Sequence, residues 1–171
     1  NIFEDEEEKS LAIINYAKKQ GIVISPIKFR YSISKYGFDK ETKQIFKGIS
    51  SIKYMNAKVA DEIYSLRNNQ YNTFIDLLYD LKKKTSLNAR QLKILVELDF
   101  FDEFGDANYL LYLITLYNEF AGKVQIKKDK LDSLNVDYSL VRPFAGNETE
   151  KMFTKVRCRD LLNELARKQG N

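Results

Sequence analysis

Four carboxylates crowd one short stretch of the chain: Asp99, Asp102, Glu103 and Asp106. Two-metal chemistry needs acidic side chains that converge on one point from rigid supports. Here they fall at the junction of two helical patterns. Asp106 reads as a helix cap and Asp102 as a turn residue, so no catalytic or metal-binding role is assigned to them. Cys158 stands between Arg157 and Arg159, whose charges would lower a thiol pKa. No base accompanies it, and a bystander thiol is expected. The chain has no histidine. That removes imidazole bases, serine triads and histidine-ligated metals. No glycine-rich phosphate loop of the Walker or dinucleotide type is present.

A different chemistry gathers between residues 47 and 58. Lys47, Ser50, Ser51, Lys53, Tyr54, Asn56 and Lys58 surround a corner between a short helical segment and a longer one. Ammonium groups, hydroxyls and the free amides of a helix N-terminus are the usual partners of phosphate. The competing reading is a solvated loop with ordinary surface lysines. The whole chain carries 28 basic and 24 acidic residues, a net charge of +4, which permits a nucleic-acid partner without demanding one.

Helices must position that corner. Asn56 reads as an N-cap, followed by Val59, Ala60, Ile63 and Leu66 on one face. Thr73 with Asp76 reads as a capping-box-like pair before Phe74, Leu77, Leu78 and Leu81. Asn88 with Gln91 repeats the device before Leu92, Leu95 and Val96, and Asp106 caps a helix carrying Leu110, Leu113, Ile114 and Tyr117. These stripes have plain helical spacing and read as core. Upstream, residues 4–20 read as a helix with Asp5–Glu8 in its first turn and Lys18 and Lys19 before Gly21. Residues 21–26 read as extended, and a β-hairpin is expected over about 32–48. Residues 123–135 read as a lysine-rich linker, followed by a short helix near 147–155 and a last one near 159–169. Helix–corner–helix occurs at 49–67 and is weakly echoed at 89–120.

The chain length of 171 residues, with 44% hydrophobic content, suits one domain or one domain with an appended segment. A single cysteine rules out an internal disulfide and suits a reducing cytoplasm, and no apolar run approaches the roughly 18 residues of a membrane span. The first residue is Asn1, from which a piece of a longer protein is expected.

The order of these motifs resembles the alpha subunit of bacterial DNA polymerase III, a C-family replicative polymerase. The resemblance runs through Gly21-Ile-x-Ile-x-Pro26, Gly48-Ile-x-x-Ile-Lys53, Tyr71-x-x-Phe74-x-Asp76-Leu77, Asn88-x-x-x-Leu92-x-x-Leu95 and Phe101-Asp102-x-x-Gly105. It covers about residues 10–120 and implies the distal fingers region plus a helix-hairpin-helix module, with residues 123–171 approaching an OB-type domain. Where that family has Ile-Lys-Gly-Val-Gly, this chain has Ile52-Lys53-Tyr54-Met55-Asn56; where it has Ala-Gly-Ala-Phe-Asp, this chain has Leu98-Asp99-Phe100-Phe101-Asp102. Asn and Asp tolerate left-handed backbone better than other non-glycine residues, so both corners are expected to keep their shape. Tyr54 would hold a phosphate further from the amides and shift binding toward side-chain donors.

The resulting expectation is a mainly α fold: residues 1–50 as a fingers-like helix and small β-hairpin, 51–122 as a helix-hairpin-helix-like module, and 123–171 as linker and C-terminal helical extension. The expected partners are double-stranded DNA and the remainder of a polymerase chain, in the cytoplasm. The resemblance implies a parent that uses Mg2+, whereas this segment holds no catalytic residue and no cofactor. Gln91-Leu-Lys-Ile-Leu95 mimics a sliding-clamp peptide, but its leucines lie on a core stripe, so a clamp is not supported. The rival is a stand-alone helical protein-interaction module that does not bind DNA.

Overall fold

The computed structural model describes residues 11, 12 and 15–169. The fold is mainly α, with two small three-stranded sheets among the described residues. The helices are α1 (residues 15–19), α2 (Ala57–Tyr64), α3 (Phe74–Lys84), α4 (Ala89–Glu97), α5 (Ala107–Phe120), α6 (Lys128–Ser133), α7 (Tyr138–Val141) and α8 (Cys158–Gln169). The strands are β1 (Val23–Ser25), β2 (Gly37–Asp39), β3 (Gln44–Phe46), β4 (Ile126–Lys127), β5 (Asn147–Glu148) and β6 (Met152–Thr154). Two compact units result. The first comprises the described residues up to Asn69 together with Thr85–Phe101; the second comprises Gln70–Lys84 together with the described residues from Asp102 onward.

In the first unit, α1 ends where Gly21 takes a positive φ of 72°. The amide of Gly21 donates to Lys18 O and that of Ile22 to Ala17 O, the paired bonds of a Schellman ending. The acidic run expected in this helix's first turn lies outside the described residues. The expected hairpin forms with shorter paired strands: β2 and β3 are antiparallel, with Phe38 opposite Ile45. Between them, the Asp39 carboxylate accepts from the Glu41 amide and the Thr42 hydroxyl, a local turn bond that suits Asp at this place. β1 adds to β3 in parallel, giving the order β1-β3-β2, and the Tyr31 ring stacks on Phe46 at 4.8 Å. Phe29, Ile49, Ala60, Ile63, Leu95, Val96 and Phe100 are all at most 1% exposed and form the core of this unit.

The second unit packs α3, α5 and α8 on one another. Leu77, Leu81, Leu110 and Leu113 are buried as their spacing predicts, and α8 adds Leu161, Leu162 and Leu165. Two expected core residues sit at its edge or that of the first unit. Ile114 is only half-buried because Leu113, Leu116, Tyr117 and Phe120 take the inner face of α5. Leu92 is half-buried because Gln91, one residue earlier, points inward with Leu95. Thr73 also departs from its expected part. Its Oγ1 only weakly caps α3, at 3.4 Å from the Asp76 amide, and its hydroxyl donates to Asn163 Oδ1. Asp76 does not reach back; its carboxylate takes Arg159 and Asn163 of α8 instead, at 3.1 Å each. That network fastens α8 to α3.

Residues 123–135 are not a linker. Ile126 is buried and pairs with Phe153, and α6 follows directly. The helix expected near 147–155 is instead a second hairpin, β5 against β6, in a sheet of order β4-β6-β5. Thr149 explains the difference: its Oγ1 accepts from the amides of Lys151 and Met152, the local bonding that diverts a chain from helix into a turn. Glu148 accepts two bonds from Arg142, at 2.9 and 3.1 Å, and one ion pair from Lys128 at 2.9 Å. Arg142 first, then Lys128, holds its carboxyl down at about 2. Among the described residues, no helix is long and apolar enough to cross a membrane.

Candidate nucleic-acid interface

The first corner begins as a short 3-10 turn, Ile49–Ser51, anchored by two backbone hydrogen bonds. The amide of Ile49 donates to Ile33 O at 2.9 Å and that of Ser50 to Ser34 O at 3.0 Å. Next comes a tight turn closed by the Met55 amide on Ile52 O, with Tyr54 third in it at φ 73°. Glycine is the usual residue at that place in a type II turn, because a Cβ strains a left-handed backbone. The left-handed residue of this corner is therefore Tyr54, not Asn56. Asn56 stays extended at φ −133° and caps α2, its Oδ1 accepting from the Val59 amide at 3.0 Å. The amides of Ala57 and Lys58, in the first turn of α2, belong to exposed residues and precede any intrahelical acceptor.

The side chains singled out by sequence divide into two groups. Lys47, Lys53 and Lys58 are exposed and form no ion pair with a described residue; Lys58 only helps to hold the Glu62 carboxyl low, after the larger effect of the Ser86 hydrogen bond. The Ser50 and Ser51 hydroxyls, though on exposed residues, donate to backbone carbonyls, to Ser34 O and to Gly48 O at 2.7 Å. Phosphate oxygens accept and do not donate, so these serines offer an anion little. Asn56 retains its side-chain NH2 while its oxygen caps the helix.

Sequence reading missed the contribution of α4. Its capping box is present as expected: the Asn88 side chain accepts from the Gln91 amide and Gln91 Oε1 from the Asn88 amide. The other end of the same Gln91 side chain donates to Tyr54 O at 2.8 Å. Arg90 then lies with its guanidinium carbon 3.7 Å from the Tyr54 ring centroid, and Lys53 Nζ lies 5.1 Å from it. Tyr54, at the turn position where glycine is usual, thus has two cations near its ring. The one available signal was the capping box, which fixes Arg90 in a first helical turn but not what that turn faces.

Two of the remaining carboxylates hold helix ends. Asp99 ends α4 in a Schellman motif, with φ 61° and the Phe100 amide on Leu95 O; this is the second corner, kept by an aspartate. Asp106 caps α5, its Oδ1 accepting from the Tyr109 amide at 2.8 Å. Among the described residues, no group of three His, Cys, Asp or Glu is placed to hold a metal ion. Cys158 is buried, which pushes its thiol up, and Lys123 opposes this only in part. Gln91 and Leu95 are buried in α4, so the clamp-like segment is not displayed as a peptide.

Residues 21–109, just over half of the chain, match the family model described as a helix-hairpin-helix motif. No curated protein matches the sequence.

Proposed function

The chain belongs to the helix-hairpin-helix motif family, and on that premise we propose that residues 47–58 grip the backbone of double-stranded DNA without reading its sequence. One observation carries this reading. The family match encloses a corner whose exposed lysines, Lys47, Lys53 and Lys58, adjoin the outward first turn of α2. Lysines that neutralise phosphates release counterions and bind any sequence, since backbone contacts carry no sequence information. Tyr54 keeps a phosphate from the close approach a glycine would allow, so the ammonium groups supply most of the attraction.

The finer proposal is that this is a non-catalytic segment of a DNA polymerase III alpha-type chain. The ordered succession from Gly21-Ile-x-Ile-x-Pro26 to Phe101-Asp102-x-x-Gly105 supports it. The nucleotide-transferring carboxylates and their Mg2+ would then lie elsewhere in the parent, and this segment would hold duplex for it. Equilibrium binding to two unrelated duplexes of equal length tests the non-specific grip. The two affinities are expected to agree within about twofold at one salt concentration. A preference above about tenfold would point instead to base readout.

A further inference from the structure

Arg90 is exposed, and its guanidinium has no hydrogen bond or ion pair with a described residue; its recorded contact is the Tyr54 ring at 3.7 Å. Lys53 approaches the same ring at 5.1 Å and is likewise without an acidic partner. Two cations drawn to one aromatic ring repel each other, and nothing described neutralises them. Such a pair attracts a counter-anion. The contact is also held in register. Gln91, only 6% exposed, binds Tyr54 O and closes the α4 capping box at once, so the residue before it cannot drift from the corner. Tyr54 occupies a left-handed backbone conformation that strains a residue with a Cβ. A glycine there would remove the strain and the seat together.

We propose that Arg90 is a phosphodiester ligand of this interface, and that Tyr54 is the residue that positions it. The inference rests on the duplex-binding reading above. A guanidinium stacked on a ring is confined on one face yet keeps its N–H edge for a forked bond to phosphate oxygens. Where glycine would offer bare amides to the backbone, this chain offers an arginine and a lysine on a tyrosine.

The test is duplex binding by the whole chain across a salt series, for Arg90→Ala, Tyr54→Leu, Tyr54→Phe and the double variant Tyr54→Leu/Arg90→Ala. Arg90→Ala is expected to weaken binding on the order of tenfold and to lower the log–log salt slope by about one unit. Tyr54→Phe, which keeps the ring, binds as the unmodified chain does. Tyr54→Leu keeps the backbone strain and every charge, yet weakens binding, and adding Arg90→Ala to it costs less than Arg90→Ala alone. Additive losses would overturn the positioning role of Tyr54. An unchanged slope in Arg90→Ala, with a reduced slope in Lys53→Ala, would overturn the assignment of Arg90 and leave the duplex-binding reading standing. If the unmodified chain does not bind duplex at all, both fall.

Discussion

Phe29→Ala is expected to destabilise the first unit by about 3–5 kcal/mol. Phe29 is fully buried, edge-on to Phe100 with ring centroids 6.1 Å apart and tilted on Phe101 at 5.5 Å. Phe100 and Phe101 are themselves in edge contact at 4.7 Å, so the three rings form one cluster. The Phe29 amide donates to Phe100 O at 3.0 Å, which ties the loop after β1 to the end of α4. Truncation leaves a ring-sized void that two large, rigid neighbours cannot fill, and the lost transfer free energy and the cavity add. Urea denaturation measures it, and Phe29→Leu should recover a good part of the loss. A midpoint unchanged in Phe29→Ala would mean that these rings are not the core of the unit.

Gly48→Ala is the second large effect, and its cause is space. Gly48 has an ordinary φ of −81°, so no left-handed strain is involved. An added Cβ would overlap Lys35 O and lie 2.5 Å from Lys35 Cα. Both are backbone atoms, in a segment bound to residues 49 and 50 through Ile33 O and Ser34 O. Neither side can give without breaking those bonds, and overpacking that moves backbone costs about 3 kcal/mol. Because the same segment launches the corner, duplex affinity should fall with stability. Gly122→Ala is the control. Nothing lies within 4 Å of its Cβ, and only its φ of 75° opposes the change, at about 1 kcal/mol. Equal thermal midpoints for the two variants would contradict the close approach of residue 35 to residue 48.

How much of this was legible depends on the distance over which each signal acts. The starts of α2, α4 and α5 could be read because Asn56, Asn88 and Asp106 each bond an amide three residues on, within the window that periodicity samples. The hairpin of β2 and β3 was legible from its turn. β4, β5 and β6 were not: Ile126 pairs with Phe153 far along the chain, beyond any local pattern, and the Thr149 turn that sets Glu148 opposite Phe153 reads as helix in the sequence. The same holds at the site. The lysines and Asn56 were visible as composition, and the absence of glycine from the corner was visible as Tyr54. That Tyr54 would adopt the glycine conformation, and that Arg90 would settle on its ring, depended on Gln91 reaching across 37 positions. Ser50 and Ser51 looked like phosphate donors because nothing in the sequence shows that backbone carbonyls already hold their protons.

The central claim is that lysines at the first corner attach this chain to duplex backbone. A salt titration of duplex binding for the unmodified chain, Lys53→Ala and Lys58→Ala tests it most directly. Each variant is expected to bind more weakly on all sequences alike, with a log–log salt slope reduced by roughly one unit. Unchanged affinity and slope in both variants would make the corner scaffold only, and a helical protein-interaction module would become the better account of this chain.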